Sequence, residues 1–94
     1  MMVLVMYASG EKQHSFEPKE GFVPDEGTAI RIAEIVLIPI YGEEKIKSER
    51  PFRATLKNGI WTVEGTLPQG FLGGVAIIEI SKRDARILRV SHGK

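Results

Sequence analysis

The sequence predicts an α+β domain in which a kinked long helix and a short helix pack on a curved antiparallel sheet of at least four strands. Three features predict it: a capped, apolar helix with a proline near its end, an Asn-Gly turn between two alternating runs, and a second alternating pair toward the C-terminus.

Taken in chain order, Met1 to Ala8 form an apolar run without a basic start, too short to span a membrane. They read as a strand at the sheet edge or as a secretion-signal remnant, since Ala8-Ser9-Gly10 supplies the small residues a signal peptidase prefers. Residues 9–20 are polar and charged, contain Pro18, and read as a loose lead-in. Residues 1–20 are therefore set apart from a domain spanning residues 21–94.

Asp25 follows Val23-Pro24 as a helix N-cap, and Glu26 puts negative charge in the first turn. From Ala29 to Ile40 only Arg31 and Glu34 interrupt the apolar residues. Ala29, Ile32, Ala33, Val36 and Ile40 share one face, and Ile30, Leu37 and Ile38 widen it past half the circumference, which predicts a helix set deep in the sheet. Pro39 lacks the amide hydrogen that the carbonyl of Ile35 would accept, so the helix is expected to kink or stop near Ile38. After Gly42, Glu43 and Glu44 precede Lys45, Ile46 and Lys47, the charge order of a short second helix.

Asn58-Gly59 fits a two-residue hairpin turn with positive φ at both positions. The register sets Leu56 against Trp61 and Ala54 against Val63 on one face, with Thr55 against Thr62 and an Arg53–Glu64 ion pair on the other. The second hairpin joins Val75–Lys82 to Arg86–Ser91 through Arg83-Asp84-Ala85. It sets Ile80 against Leu88, Ile78 against Val90 and Glu79 against Arg89, with Ala85 in the left-handed position. Between the hairpins, Phe71 and Leu72 lie in a loop with three glycines, either folded inward to plug one end of the sheet or exposed as an apolar contact.

Three segments carry a resemblance: GFVPDEGTAIRIAEIVLIPIYGEEKI from Gly21, ATLKNGIWTVEGTLPQGFLGGVA from Ala54, and ISKRDARILRVSHGK from Ile80. Together they resemble the small, cone-shaped NTF2-fold immunity proteins of bacterial polymorphic toxin systems, often encoded beside Rhs-type toxins. The resemblance implies a protein that neutralises a cognate toxin by direct binding. It carries over no set of functional residues.

Composition limits the alternatives. A 94-residue chain without cysteine has no disulfide and no thiolate metal site. Residues 1–44 hold 3 basic and 8 acidic side chains against 10 and 4 in residues 45–94, which permits a polarised surface. The basic residues alternate with apolar ones along strands and lack interleaved aromatics, so nucleic acid is not an expected partner.

Catalytic candidates are sparse. Asp25 and Asp84 are explained as cap and turn, while His14 and His92 lack an acidic neighbour at an informative spacing. The serines show no nucleophile-elbow spacing, and the glycines at 70–74 lead into a strand without the Lys-Ser/Thr of a phosphate loop. Glu43-Glu44 alone make a weak cation site. Trp61 and Tyr41 read as core or boundary residues.

No catalytic residue, metal site or cofactor is therefore expected. The expected activity is stoichiometric inhibition by a monomer or weak homodimer, in the cytoplasm, or in the periplasm if the apolar N-terminus belongs to a secretion signal. Contact candidates are Tyr41, Glu43, Glu44, Phe71, Leu72 and His92. The alternative is a small-ligand-binding or lyase/isomerase-like module using the concave face of the sheet, recognisable by an open pocket lined by Arg53 or Glu64.

Overall fold

In the computed structural model, which describes residues 15–93, helix α1 (Glu26–Tyr41) lies across a curved four-stranded antiparallel sheet. A short α2 (Glu43–Ser48) follows, then β1 (Arg53–Lys57), β2 (Ile60–Glu64), β3 (Ala76–Ser81) and β4 (Ile87–His92), which pair in sequence order. The readings placed on Met1–Ala8 and on His14 lie outside the described residues.

The helix starts where its cap predicts. Asp25 is extended, and its Oδ1 accepts the Thr28 amide at 2.8 Å. Helix α1 does not stop at Ile38 but runs through Pro39 to Tyr41, and the Gly42 amide closes the last turn on the Ile38 carbonyl at 2.8 Å. The turn that loses its hydrogen bond at Pro39 is on the solvent side, where Ile35 is 71% exposed and water can serve the freed carbonyl.

The expected deep burial is also corrected. Only Ala29, Ala33 and Leu37 are fully enclosed, at a four-residue spacing that makes one narrow stripe. Two alanines in that stripe let the helix axis approach the sheet closely, while Ile35 and Ile40 face outward. Packing comes from the sheet side: Ala54, Trp61, Val63, Ala76, Ile78 and Ile80 alternate inward on β1 to β3. Trp61 belongs to this core, and its Nε1 donates to the Val23 carbonyl at 2.8 Å.

The first hairpin has the predicted register throughout, with Asn58 at φ 49° and Gly59 at φ 75°. Leu56 is nevertheless partly exposed on this edge strand, and Arg53 stands opposite Glu64 without an ion pair. In the second hairpin Ile78–Val90 and Glu79–Arg89 pair as expected, but Ile80 pairs with Ile87, not Leu88, because a β-bulge leaves Leu88 as an extra residue between Ile87 and Arg89. Ala85 takes the left-handed conformation, φ 65°.

The chain is tied down directly after the lead-in: the Gly21 amide donates to the Pro18 carbonyl, and the amides of Phe22 and Val23 donate to the carbonyls of Arg83 and Lys82, strapping the chain to the β3–β4 turn before α1 begins.

Candidate functional site

At the end of the sheet away from that strap, the last turn of α1, helix α2, the loop before β3 and the end of β4 converge. Glu49, one residue past α2, is 2% exposed and the one buried charged residue among those described. Its carbonyl accepts the Thr66 amide at 2.7 Å, which turns the chain after β2 away from β3. The Glu49 side chain fills the place β2 vacates: Oε1 accepts the Ala76 amide at 2.8 Å, continuing the ladder that Gly65 and Ala76 begin.

The other carboxylate oxygen, Oε2, lies 2.7 Å from His92 Nε2, and His92 Nδ1 lies 2.9 Å from the Gly93 carbonyl. The two ring nitrogens thus lie within hydrogen-bonding distance of a carboxylate and a carbonyl oxygen, with the donor role of each set by the tautomer. His92, which has no acidic neighbour at an informative spacing in the sequence, finds an acidic partner in the fold: its side chain is 15% exposed and tied to a buried carboxylate. The partners are 43 positions apart in the chain, so no local spacing signals them.

Tyr41 tilts against the imidazole with ring centroids 5.2 Å apart. The loop closes the other side. A Cβ on Gly74 would stand 2.5 Å from the Gly93 backbone, so the two glycines let the chain just past β4 pack directly on the loop, and the Gly93 amide reaches the Val75 carbonyl at 3.3 Å.

These elements frame a surface hollow of about 430 Å³ lined by Tyr41, Lys45, Leu72, Gly73, Gly74 and His92, with Gly93 at its edge. Leu72 is 96% exposed and Phe71 64% exposed, so the loop's apolar side chains point outward instead of plugging the sheet. Of the six contact candidates, Tyr41, Leu72 and His92 meet in the hollow and Phe71 adjoins it. Glu43 and Glu44 sit exposed on α2. Glu43 is bound to Lys47 at 2.6 Å, a contact that holds its carboxyl below the usual carboxylate range.

Lys45, which the sequence presents only as part of a helix charge pattern, supplies the hollow's cation and has no ion pair among the described residues. Glu49 and the Gly74–Gly93 contact were also not legible. A second hollow of about 440 Å³ lies at the strap, between Pro18–Phe22 and Lys82–Asp84. It contains no buried titratable side chain.

Arg53 and Glu64 are exposed and line neither hollow, and the space beneath α1 is filled by apolar side chains. Among the described residues no cluster of three His, Cys, Asp or Glu is arranged to hold a metal, and no helix is long and apolar enough to cross a membrane.

The model of a family described as NTF2 fold immunity protein matches residues 28–94, a stretch that includes every residue of the Tyr41–His92 hollow. Two uncharacterised proteins of Escherichia coli K12, YhhH and YbbC, are each 41% identical to the chain over 73 residues, or 77% of its length. The chain spans 58% and 60% of the length of these curated relatives. No solved structure matches it.

Proposed function

The chain belongs to the NTF2 fold immunity protein family, and from that premise we propose that it neutralises a cognate bacterial toxin by direct, stoichiometric binding. The toxin is of the polymorphic, Rhs-associated kind, and the contact is centred on the Tyr41–His92 hollow. The observation that carries the reading is the contrast at this site between a fixed floor and an open apolar rim. Glu49, His92, Tyr41 and the two glycines are locked by hydrogen bonds and close packing, while Phe71 and Leu72 stand in solvent near Lys45, which has no ion pair among the described residues.

Preorganised anchors of this type favour binding because little freedom is lost when a partner docks. Tyr41 and His92 offer an aromatic platform, Phe71 and Leu72 provide apolar contact, and Lys45, Glu43 and Glu44 form a charged rim that favours a complementary partner.

The same geometry weighs against a lyase or isomerase. A general base needs a lone pair directed at the substrate, and both nitrogens of His92 are engaged within the protein. Glu49 lies behind the imidazole, outside the lining of the hollow. The protein acts as a monomer or weak homodimer in the cytoplasm, with the periplasm as the alternative compartment.

The test is co-expression with the toxin gene adjoining this reading frame. Rescue of growth by the intact protein is expected. Failure to rescue against every neighbouring toxin removes the immunity assignment for this chain.

A further inference from the structure

Among the described residues strand β4 is an edge of the sheet, and its unpaired side is built differently from the β1 edge. The Gly93–Val75 hydrogen bond and the register place Gly93, Ser91 and Arg89 in the pairs that bond to β3. In an antiparallel ladder the intervening residues, Val90 and His92, turn their amide and carbonyl groups outward. Their side chains share the helix-facing side with those of Ile78 and Ala76, and Ile87 lies opposite Ile80 on the same side.

Helix α1 packs on β1, β2 and β3, so the Ile87–Val90–His92 row lies at the margin of its cover. Ile87 is 37% exposed. The β1 edge is guarded by Pro51 and by exposed Arg53 and Lys57, neither of them ion-paired among the described residues. Within β4 the single Arg or Lys, Arg89, is held by Glu79 at 3.2 Å, and the exposed Arg86 flanks only the start of the strand, at the end away from the hollow. The less guarded edge runs straight into the Tyr41–His92 hollow.

Resting on the reading of that hollow as the toxin-facing site, we propose that an extended segment of the toxin adds to β4 as a further strand. Apolar side chains at alternate positions of the segment pack on Ile87 and Val90, and an acidic group at its end reaches Lys45 in the hollow. Main-chain hydrogen bonds to Val90 and His92 supply affinity, while the row and the hollow supply selectivity.

The experiment pairs amide exchange with edge variants, using the domain of the neighbouring toxin that the protein is found to neutralise. In the free, dilute protein the Val90 and His92 amides should exchange much faster than those of Arg89 and Ser91, and toxin binding should protect them. Val90→Pro removes an outward amide together with a side chain at the margin of the core, and should weaken binding at least tenfold while the protein stays folded. Leu56→Pro, the corresponding change on β1, should leave binding unchanged. Ile87→Asp, at an already exposed position, tests the same edge if Val90→Pro fails to fold.

Protection of Val90 and His92 in the dilute free protein would mean that the edge is already covered and would overturn the proposal. Concentration-dependent protection abolished by Val90→Pro would assign the edge to a second copy and overturn the toxin as occupant. Full-strength toxin binding by Val90→Pro or Ile87→Asp would overturn strand addition while leaving neutralisation intact. Absence of rescue by the unmodified protein would instead remove the underlying reading.

Discussion

Glu49 and His92 meet at 2.7 Å although 43 positions separate them, and through this contact the end of α2 fixes the end of β4. The carboxylate also holds the first amide of β3, so one side chain joins three elements at the open end of the sheet. Removing it leaves the Ala76 amide and the His92 ring without their partner. Glu49→Ala is therefore expected to destabilise the protein by about 3 kcal/mol or more, with a smaller loss for Glu49→Gln, measured by denaturant unfolding. Equal stability of Glu49→Ala and the unmodified protein would show that the pair is not formed in solution.

Gly74 and Gly93 make a second, purely steric contact at the same place. A methyl group at position 74 has to displace the Gly93 backbone, so Gly74→Ala should cost about 1–3 kcal/mol and shift the NMR signals of His92 and Tyr41. An unchanged melting temperature together with unchanged signals would contradict the close packing.

Ala85 carries a φ of 65° at the end of the β3–β4 turn. Glycine relieves that conformation, worth about 1 kcal/mol, against a smaller loss of methyl packing on the core. Thermal unfolding should show Ala85→Gly to be the more stable protein. A clear decrease would count against the register of this hairpin.

Three exposed carboxylates link stability to pH. The Thr28 amide lowers the pKa of Asp25, the Ser81 side chain followed by the Arg86 amide lowers that of Asp84, and Lys47 lowers that of Glu43. Each is more acidic folded than unfolded, so its contribution is complete above the unfolded pKa and is lost as pH falls through the folded value. Stability should thus fall on acidification below the ordinary carboxylate range. Asp25→Asn and Asp84→Asn should each flatten that decline in a series of melting temperatures, and an unchanged slope in both would contradict the assignment.

Local chemistry explains what could be read from the chain. Asp25, Asn58-Gly59 and the alternating strands each act over a few residues, and each appears where its pattern places it. The bulge before Ile80 was not legible because Ile87 and Leu88 are both apolar and either suits the pairing. Helix α1 misled for a related reason: its apolar residues surround most of the axis, but one sheet can cover only one side, so Ile35 and Ile40 remain outside.

The site was half legible. Tyr41, Leu72 and His92 stood out as large or titratable residues near breaks in structure, and they do meet. Glu49 and Lys45 carry no such mark, because their roles depend on strands that arrive from the far end of the chain.

Titration calorimetry of the purified protein against the toxin domain it neutralises is the most direct test of inhibition by surface occlusion. The expected result is one protein per toxin, with growth protection lost below that ratio and affinity reduced at least tenfold by Leu72→Asp at an unchanged melting temperature. Complete inactivation of the toxin by a small fraction of an equivalent would show turnover, and would contradict a protein that works by covering its target.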